Sequence, residues 1–258
     1  MTSTTKRPNK TTKAHTDTVC ALLRLQPRLQ CLADCVPRGA RLADVGTDHG
    51  YLPVWLLQNG RIRSAIASDI NALPLEHARR TAAEYGVMLE LRLCAGLDAI
   101  APDEADTVAI AGMGGETILA ILQAAAWDWH GHTLLLQPMT KAELLRRWLS
   151  EHSLRIVAEH LALDKGTIYP VMSVEAGERA PLTSAEAWCG VGLLHDPLYG
   201  DYARDRVRKL ERAAAGLRQA KTLDTKQIES LEADAAALRE RIKEWEDANG
   251  TGDRSGTL

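Results

Sequence analysis

The chain has 258 residues, of which 45% are hydrophobic, and a formal net charge of −3. That length suffices for one α/β domain with a small appendage and a core that buries most of its apolar surface. No stretch approaches the roughly 18 apolar residues of a membrane span, and Met1–His15 lacks the apolar run of a signal peptide. We therefore expect a cytoplasmic protein, in which contact with nucleic acid requires local clusters of basic residues.

Before the first strand, two segments are predicted. Residues 1–16 combine four basic side chains with Thr and Asn and contain nothing apolar to bury, which predicts a disordered arm. A helix is expected from about 18 to 36, broken or bent near Pro27 because a proline disturbs an interior helical turn.

An α/β alternation follows. Short apolar stretches, each typical of a buried strand, occur at 41–46, 64–69, 88–93, 106–110, 133–137, 154–161 and 167–175. Helical segments lie between most of them, at 53–59, 74–85, 115–125 and 141–151. This order predicts a mostly parallel sheet with helices on both faces. Only Asp164-Lys165-Gly166 separates the last two stretches, which predicts an antiparallel hairpin at the sheet edge.

The C-terminal segment keeps a heptad register that is interrupted at Lys221 and Asp224. The a positions are Val207, Ala214, Ile228, Ala235 and Ile242, and the d positions are Leu210, Leu217, Leu231, Leu238 and Trp245. An antiparallel helical hairpin that turns near 221–224 fits this pattern, with Asp224 and Gln227 as a capping box. The predicted organisation is a disordered arm (1–16), an α/β domain (17–200), the hairpin (201–247) and a disordered tail (248–258).

The cysteines and histidines show no metal-binding spacing. Cys31 and Cys35 lie one helical turn apart, but no two cysteines form a CxxC pair. The five cysteines are Cys20, Cys31, Cys35, Cys94 and Cys189. Reduced thiols are favoured over a disulfide or a metal site. His130, His132 and His195 form no group with the spacing of metal ligands either, so no metal is expected.

A glycine-bearing acidic turn follows the first strand and reads Asp44-Val-Gly46-Thr-Asp48-His49-Gly50-Tyr51. Its spacing is not GxGxxG, so a turn that holds a dinucleotide pyrophosphate is poorly supported. Asp44 or Asp48 can instead accept charge-assisted hydrogen bonds from an ammonium group, such as the one at the amino-acid end of S-adenosyl-L-methionine (SAM). The second strand ends in Asp69, where a carboxylate can accept the hydroxyls of a ribose.

A second glycine-rich segment, Ala111-Gly-Met-Gly-Gly115, follows the fourth strand. Three glycines in four residues allow a ligand to approach the backbone closely and direct helix N-terminal amides toward it. A tight strand-to-helix turn accounts for one glycine but hardly for three. The segment has no Asn/Asp-Pro-Pro-aromatic clamp of the kind that many amino-methyltransferases place here.

Five strings together resemble the bacterial tRNA (adenine22-N1)-methyltransferase family, TrmK: LADVGTDHGYLPVWL, AIASDINALPLEHA, RLCAGLDAI, AIAGMGGETILAIL and LLLQPMTKAELLRRWL. The likeness covers about residues 20–195, and the helical hairpin matches the layout of that family. It implies a Rossmann-like class I methyltransferase sheet with a C-terminal antiparallel helical hairpin. It also implies transfer of a methyl group from SAM to adenine N1 in tRNA, at position 22, without a metal.

The resemblance and the residue chemistry together give candidate site residues. Those for binding the cofactor are Asp44, Gly46, Asp48, His49, Tyr51, Asp69, Asn71, Gly96 and Gly112. Those at the reacting centre are Asp48, Gly112, Met113 and Gly114. Adenine N1 is itself a nucleophile, so orientation can supply most of the acceleration, and Asp48 is the candidate to take a proton from the methylated base. Equally, Asp48 can serve only to bind the methionine end, and His49 and Tyr51 can be structural.

The sequence departs from the family pattern at two places. Ala95 stands where the family usually has an acidic residue beside the adenine, and Asp98 can compensate only from a shifted position. Ala72-Leu73-Pro74 replaces a common Gly-Pro. The first departure bears on cofactor affinity, whereas neither removes the ribose acid or the glycine turn.

Basic side chains on two predicted helices are the candidates for contact with RNA phosphates. They are Arg204, Arg208 and Arg212, spaced four residues apart, and Lys141, Arg146 and Arg147. Such clusters position RNA without reading its sequence. A solvated helix surface explains the same residues, because acidic residues are interleaved with them.

Two other functions remain open from the sequence. One is a class I methyltransferase that acts on a protein or a small molecule, which predicts normal cofactor binding and no affinity for tRNA. The other is a non-catalytic RNA-binding protein with a decayed cofactor pocket, which predicts affinity for tRNA without binding of SAM. The sequence leaves the oligomeric state undetermined.

Overall fold

The computed structural model describes residues 22–220 and 224–250, so the predictions for the N-terminal arm and most of the tail lie outside the described residues. Seven strands form one sheet in the order β3-β2-β1-β4-β5-β7-β6. Their bounds are β1 Ala40–Val45, β2 Ile62–Asp69, β3 Glu90–Leu93, β4 Thr107–Gly114, β5 Thr133–Thr140, β6 Leu154–Asp164 and β7 Thr167–Ala176.

Eight α-helices are present in the described residues, together with short 3₁₀ helices at Pro102–Glu104 and Leu193–His195. The α-helices are α1 Pro27–Cys35, α2 Tyr51–Gln58, α3 Ala72–Glu84, α4 Gly115–Ala124, α5 Ala142–Glu151, α6 Ser184–Cys189, α7 Tyr199–Arg218 and α8 Thr225–Asn249. No helix among the described residues is long and apolar enough to cross a membrane.

The sheet has the predicted mixed topology. The five strands β1 to β5 pair in parallel, whereas β7 pairs antiparallel with both β5 and β6. A two-residue turn joins β6 to β7, with positive φ at Lys165 (48°) and Gly166 (77°), as a type I′ turn requires. The carboxyl ends of β1 to β6 therefore lie along the same edge of the sheet.

Both faces of the sheet are covered, which explains the nearly continuous apolar runs of the inner strands. One core lies between the sheet and helices α4 and α5, and includes Val108, Ile118, Leu134 and Leu145. A second core, under α1 and α2, includes Leu32, Leu42, Leu56 and Leu135. These two cores hold the strand ends in register, and the candidate site is built on those ends.

Most element boundaries differ from the prediction by one to three residues, and two differ by more. Residues 22–26 are not helical, and α1 begins at Pro27, because proline fits the first turn of a helix and not its interior. Strand β4 does not end at 110 but continues to Gly114, where α4 begins directly. Its glycine segment pairs with β5 through two irregularities in register, so it is a bulged strand end and not a free loop.

The last two helices pack against each other and against the body of the protein. Ion pairs join Arg204 to Glu246, Glu211 to Arg239 and Arg218 to Glu232. These pairs run in opposite orders along α7 and α8, which is an antiparallel arrangement. Most a and d residues are buried, and Asp224 accepts a hydrogen bond from the Gln227 amide at the start of α8. Their core is shared with α6 and β6 through Cys189 and Leu161.

Candidate active site

The ends of three neighbouring strands are joined by hydrogen bonds at the carboxyl edge of the sheet. The amides of Gly46 and Thr47, just after β1, both donate to the Ser68 carbonyl near the end of β2, at 2.8 and 3.0 Å. The Ser68 hydroxyl donates to the Gly96 carbonyl, and the Cys94 amide donates to the Asp69 carbonyl. The structure thus brings the acidic turn, the end of β2 and the segment after β3 to one place, as parallel strands predict.

A cavity of about 410 Å³ opens at this edge. It is lined by Gln26, Arg28, Leu29, Asp44, Gly46, Thr47, Asp48, His49, Gly50, Tyr51, Leu52, Ala111 and Gly112. Six of the nine predicted cofactor residues are therefore in its wall, while three lie outside it: Asp69 at the end of β2, Asn71 just after it and Gly96 after β3.

The only carboxylate that the cavity wall buries is Asp44, which is 7% exposed. Burial raises the pKa of Asp44 from 3.8 to about 6, and the neighbouring Thr47 side chain opposes that rise. A buried carboxylate without a cationic partner is costly, which favours a ligand that brings positive charge to this point.

Gly46 has a left-handed backbone (φ 76°), and a side chain there would collide with the terminal methyl group of Met113. The absence of a side chain at Gly46 therefore leaves room for Met113, which packs against the core under α4 and α5 and is not in the wall of the cavity. The sequence predicts Gly46 only as a cofactor-binding residue and gives no sign of this packing role.

The glycines after Ala111 serve different purposes. Gly112 is the unpaired residue of the β4 bulge, with φ 76°, and faces the cavity. A Cβ on Gly114 would approach the Thr140 hydroxyl to 3.2 Å, and one on Gly115 would collide with the Lys141 backbone. Gly112 is thus the member of this segment that leaves room for a ligand, whereas the other two allow close packing of β4 and α4 on β5.

Gln137 and Arg28, which the sequence did not identify as site residues, form a polar pair that holds the Gly112 amide in place. Gln137 on β5 is completely buried, and its Oε1 accepts hydrogen bonds from the Gly112 amide (3.1 Å) and from Arg28 on α1. Arg28 also lies 3.8 Å from the Asp164 carboxylate and lines the cavity. Because 109 residues separate Arg28 from Gln137, no local sequence signal could have revealed the contact.

Three parallel rings stand at the rim of the cavity. His49 stacks on Tyr51 at 5.2 Å and on His77 of α3 at 4.8 Å, and its Nε2 lies 3.4 Å from the Asp48 carboxylate. Asp48, His49 and His77 have potential ligand atoms within 4.8 Å of one another. Metals bind imidazole in the plane of the ring, so two stacked rings do not suit one shared ion.

The outer part of the site is formed by the ends of β2 and β3. One oxygen of Asp69 accepts the Asn71 amide at 2.7 Å, which leaves the other oxygen for a ligand. Ile70, Leu73 and Leu93 are 62–68% exposed there and form an apolar border beside the Asp69 carboxylate. Gly96 has φ 52° and packs against Ile121, so its lack of a side chain has a structural cause.

The prediction that Arg146 contacts RNA is wrong. Its side chain is fully buried, where Nε and Nη2 donate to Glu159 at 3.0 and 2.5 Å. Its other hydrogen bonds go to the carbonyls of Ala187 and Trp188 and to the Tyr202 hydroxyl. The sequence pattern of α5 could not show this, because the compensating carboxylate lies on β6. Arg146 instead ties α7 to the body of the protein.

The other candidate RNA-binding residues lie at the surface with different surroundings. Arg204 is held by Asp201 and Glu246 at 3.2 and 2.6 Å and lies over the Trp245 ring. A single carboxylate, Asp205, forms ion pairs with three basic side chains, Arg206, Arg208 and Lys209. Lys141 is exposed at the end of β5, next to Gly115, and Arg212 is exposed on α7. Uncompensated positive charge therefore gathers around residues 206–212.

Comparisons with known proteins agree with this architecture. A family described as "Methyltransferase domain" matches residues 25–172. The tRNA (adenine(22)-N(1))-methyltransferase of Bacillus subtilis (strain 168) is 36% identical over 183 residues, which are 70% of this chain and 75% of that protein.

Solved structures give the same result. The B. subtilis m1A22 tRNA methyltransferase TrmK superposes with a TM-score of 0.73 at 30% identity, covering 86% of this chain and 99% of that one. M. capricolum TrmK, in complex with the cofactor product S-adenosyl-homocysteine, gives 0.71 at 26% identity over 85% and 98%. With the match in sequence and the cavity at the strand ends, this chain belongs to the tRNA (adenine22-N1)-methyltransferase family.

Proposed function

We propose that this protein transfers a methyl group from SAM to N1 of an adenine in tRNA, and that this adenine is at position 22, as the name of the B. subtilis relative states. One observation carries the proposal most directly. The cavity at the carboxyl edge presents a buried carboxylate, Asp44, and a guanidinium, Arg28, in one wall. The methionine end of SAM has one ammonium and one carboxylate, which complement that pair.

The residues present fit the cofactor at both ends. Asp44 would accept the ammonium, whose charge would favour the ionised carboxylate, and Arg28 would bind the carboxylate of the cofactor. The free oxygen of Asp69 accepts a ribose hydroxyl, beside the apolar border formed by Ile70, Leu73 and Leu93. Ala95 contributes no charge on the adenine side, so recognition there rests on apolar contact. When bound, SAM supplies a methyl group activated by a sulfonium.

The protein's part in the reaction is to orient the two reactants. Gly112 leaves one face of the cavity open for the target base, and the Gln137 side chain holds its amide in place. Tyr51 is 42% exposed at the end of the ring stack and offers a face on which a base can stack. Asp48, whose side chain is 77% exposed at the rim, stabilises the positive charge that develops on the adenine and accepts its proton.

tRNA reaches the site along a path of basic residues in a cytoplasmic setting. Arg208, Lys209 and Arg212 on α7 contact phosphates, together with Lys141 and Arg147 at the start and in the middle of α5. Arg204 is left out of this path, because Asp201 and Glu246 already compensate its charge.

The direct test is to incubate the protein with isotopically labelled SAM and unmodified tRNA and to identify the labelled nucleoside by mass spectrometry. N1-methyladenine is expected, and an Asp69→Ala variant should bind SAM more weakly. Label in a different nucleoside, or binding of tRNA without any transfer, would contradict the proposal. Transfer only to added proteins or small molecules would establish a methyltransferase of another substrate class.

A further inference from the structure

A second cavity lies outside the candidate active site, where α1 packs against the two antiparallel strands β6 and β7. Its volume is about 780 Å³ and it is open to solvent. Its lining consists of Pro27, Gln30, Cys31, Asp34, Cys35, Ala158, His160, Leu161, Ala162, Ser173 and Asp196. The proposed methyl transfer uses none of these side chains.

Two cysteines in this wall form a pair. Cys31 and Cys35 are half-buried and free, and they lie four residues apart on α1, hence on one face of the helix. Each thiol is the main influence on the pKa of the other: Cys35 raises the pKa of Cys31, and Cys31 lowers the pKa of Cys35. The lowered pKa of Cys35 favours its thiolate, the form that binds soft ligands.

Helical geometry determines what this pair can hold. Side chains four residues apart on a helix have Cβ atoms about 5–6 Å apart. A disulfide requires a Cβ–Cβ distance of about 3.5–4.5 Å, so direct oxidation of the pair would unwind the end of α1. A single larger atom that bonds to both sulfurs can bridge them across the existing spacing. The open cavity leaves room for the rest of such a ligand.

We propose that Cys31 and Cys35 form a two-thiol binding site for soft, thiophilic ligands of the trivalent arsenical class. Both S–H bonds break and two arsenic–sulfur bonds form. The two protons and the oxygen of the arsenical leave as one water molecule. Arsenic stays trivalent and both sulfurs keep their oxidation state, so the reaction needs no oxidant or reductant.

Phenylarsine oxide is the probe for this site. Full-length protein is treated with one equivalent and then with excess glutathione, a monothiol that removes adducts held by one sulfur. Intact mass should show one retained adduct with the loss of two hydrogens, and peptide mapping should place it on the segment that contains Cys31 and Cys35. A dimercaptan should remove it.

Variants complete the test. Cys31→Ser and Cys35→Ser should each lose the glutathione-resistant adduct, whereas the matched control Cys94→Ser, in another half-buried cysteine, should retain it. Mapping in the wild-type protein does not depend on how the variants fold. A wild-type adduct that glutathione removes, or one that maps to any other pair of cysteines, would refute the site. Neither result bears on methyl transfer, which is measured separately.

Discussion

Replacement of Asp44 by asparagine should stabilise the free protein while it weakens cofactor binding. Asp44 is buried in the cavity wall, and burial raises its pKa from 3.8 to about 6. When the pKa of a carboxyl group is higher in the folded than in the unfolded protein, its ionisation lowers the free energy of unfolding. Each pKa unit corresponds to about 1.4 kcal/mol, and the cost of the charged form is therefore about 3 kcal/mol above pH 6.

The stability difference between the two proteins depends on pH because the pKa of Asp44 is 3.8 when unfolded and about 6 when folded. Below about pH 4 the carboxyl is protonated in both the folded and unfolded states, and the Asp44→Asn variant should match the wild type. Between pH 4 and 6 the unfolded state releases its proton first, and the wild type should lose stability relative to the variant. Above pH 6 the variant should be more stable by up to about 3 kcal/mol.

Urea unfolding of both proteins across pH 4–8, without cofactor, measures this difference directly. Other groups titrate in both proteins, so subtraction isolates Asp44. Titration calorimetry with SAM at pH 7.5 should show the opposite order of affinity. Loss of a hydrogen bond to a charged group costs roughly 1.5–3 kcal/mol, or about 10- to 150-fold in binding. A variant that is less stable than the wild type at pH 7.5, or a difference independent of pH, would refute the reasoning.

Three further predictions concern other parts of the structure. Arg28→Gln should weaken SAM binding by about 10- to 150-fold through loss of a charge-assisted hydrogen bond, whereas Arg24→Gln, on the exposed segment before α1, should not; calorimetry compares them. Glu159→Ala should lower the free energy of unfolding, measured in urea, by about 3–5 kcal/mol, because it leaves the buried Arg146 charge unpaired. The double variant Arg146→Met, Glu159→Leu should recover most of that free energy. A double variant as unstable as Glu159→Ala would contradict the argument. Arg208→Ala and Arg212→Ala should each flatten the slope of log tRNA affinity against log salt by about 0.7–0.9, while Arg204→Ala should change it less. Slopes equal to the wild-type slope in all three variants would show that α7 does not touch phosphate.

Local sequence patterns predicted the sheet because each strand is a short apolar run and each crossover has the length of a helix. The same reasoning brought Asp44, Gly46 and Asp69 together, since carboxyl ends of adjacent parallel strands share one edge. A charge pattern on one helix, by contrast, could not show that Arg146 faces a carboxylate on β6. Arg28 and Gln137 were missed for the same reason, because their roles arise only when distant segments pack together.

The glycines show a second limit of sequence reasoning. Three glycines in the segment after Ala111 were interpreted together as room for a ligand, yet only Gly112 faces the cavity. The structure assigns Gly114 and Gly115 to packing against β5 and its following residue. A run of glycines predicts that the backbone lies close to a neighbouring group. Only the fold shows whether that group is a ligand or another strand.

Position-resolved methylation of a defined tRNA tests the central claim most directly. Two transcripts that differ only at nucleotide 22, adenine in one and guanine in the other, are incubated with the protein and methyl-labelled SAM, and the modified position is mapped by primer extension and mass spectrometry. The first transcript should gain one N1-methyladenine at position 22, and the second should remain unlabelled. Equal labelling of both transcripts, or none in either with SAM binding intact, would contradict the proposed function.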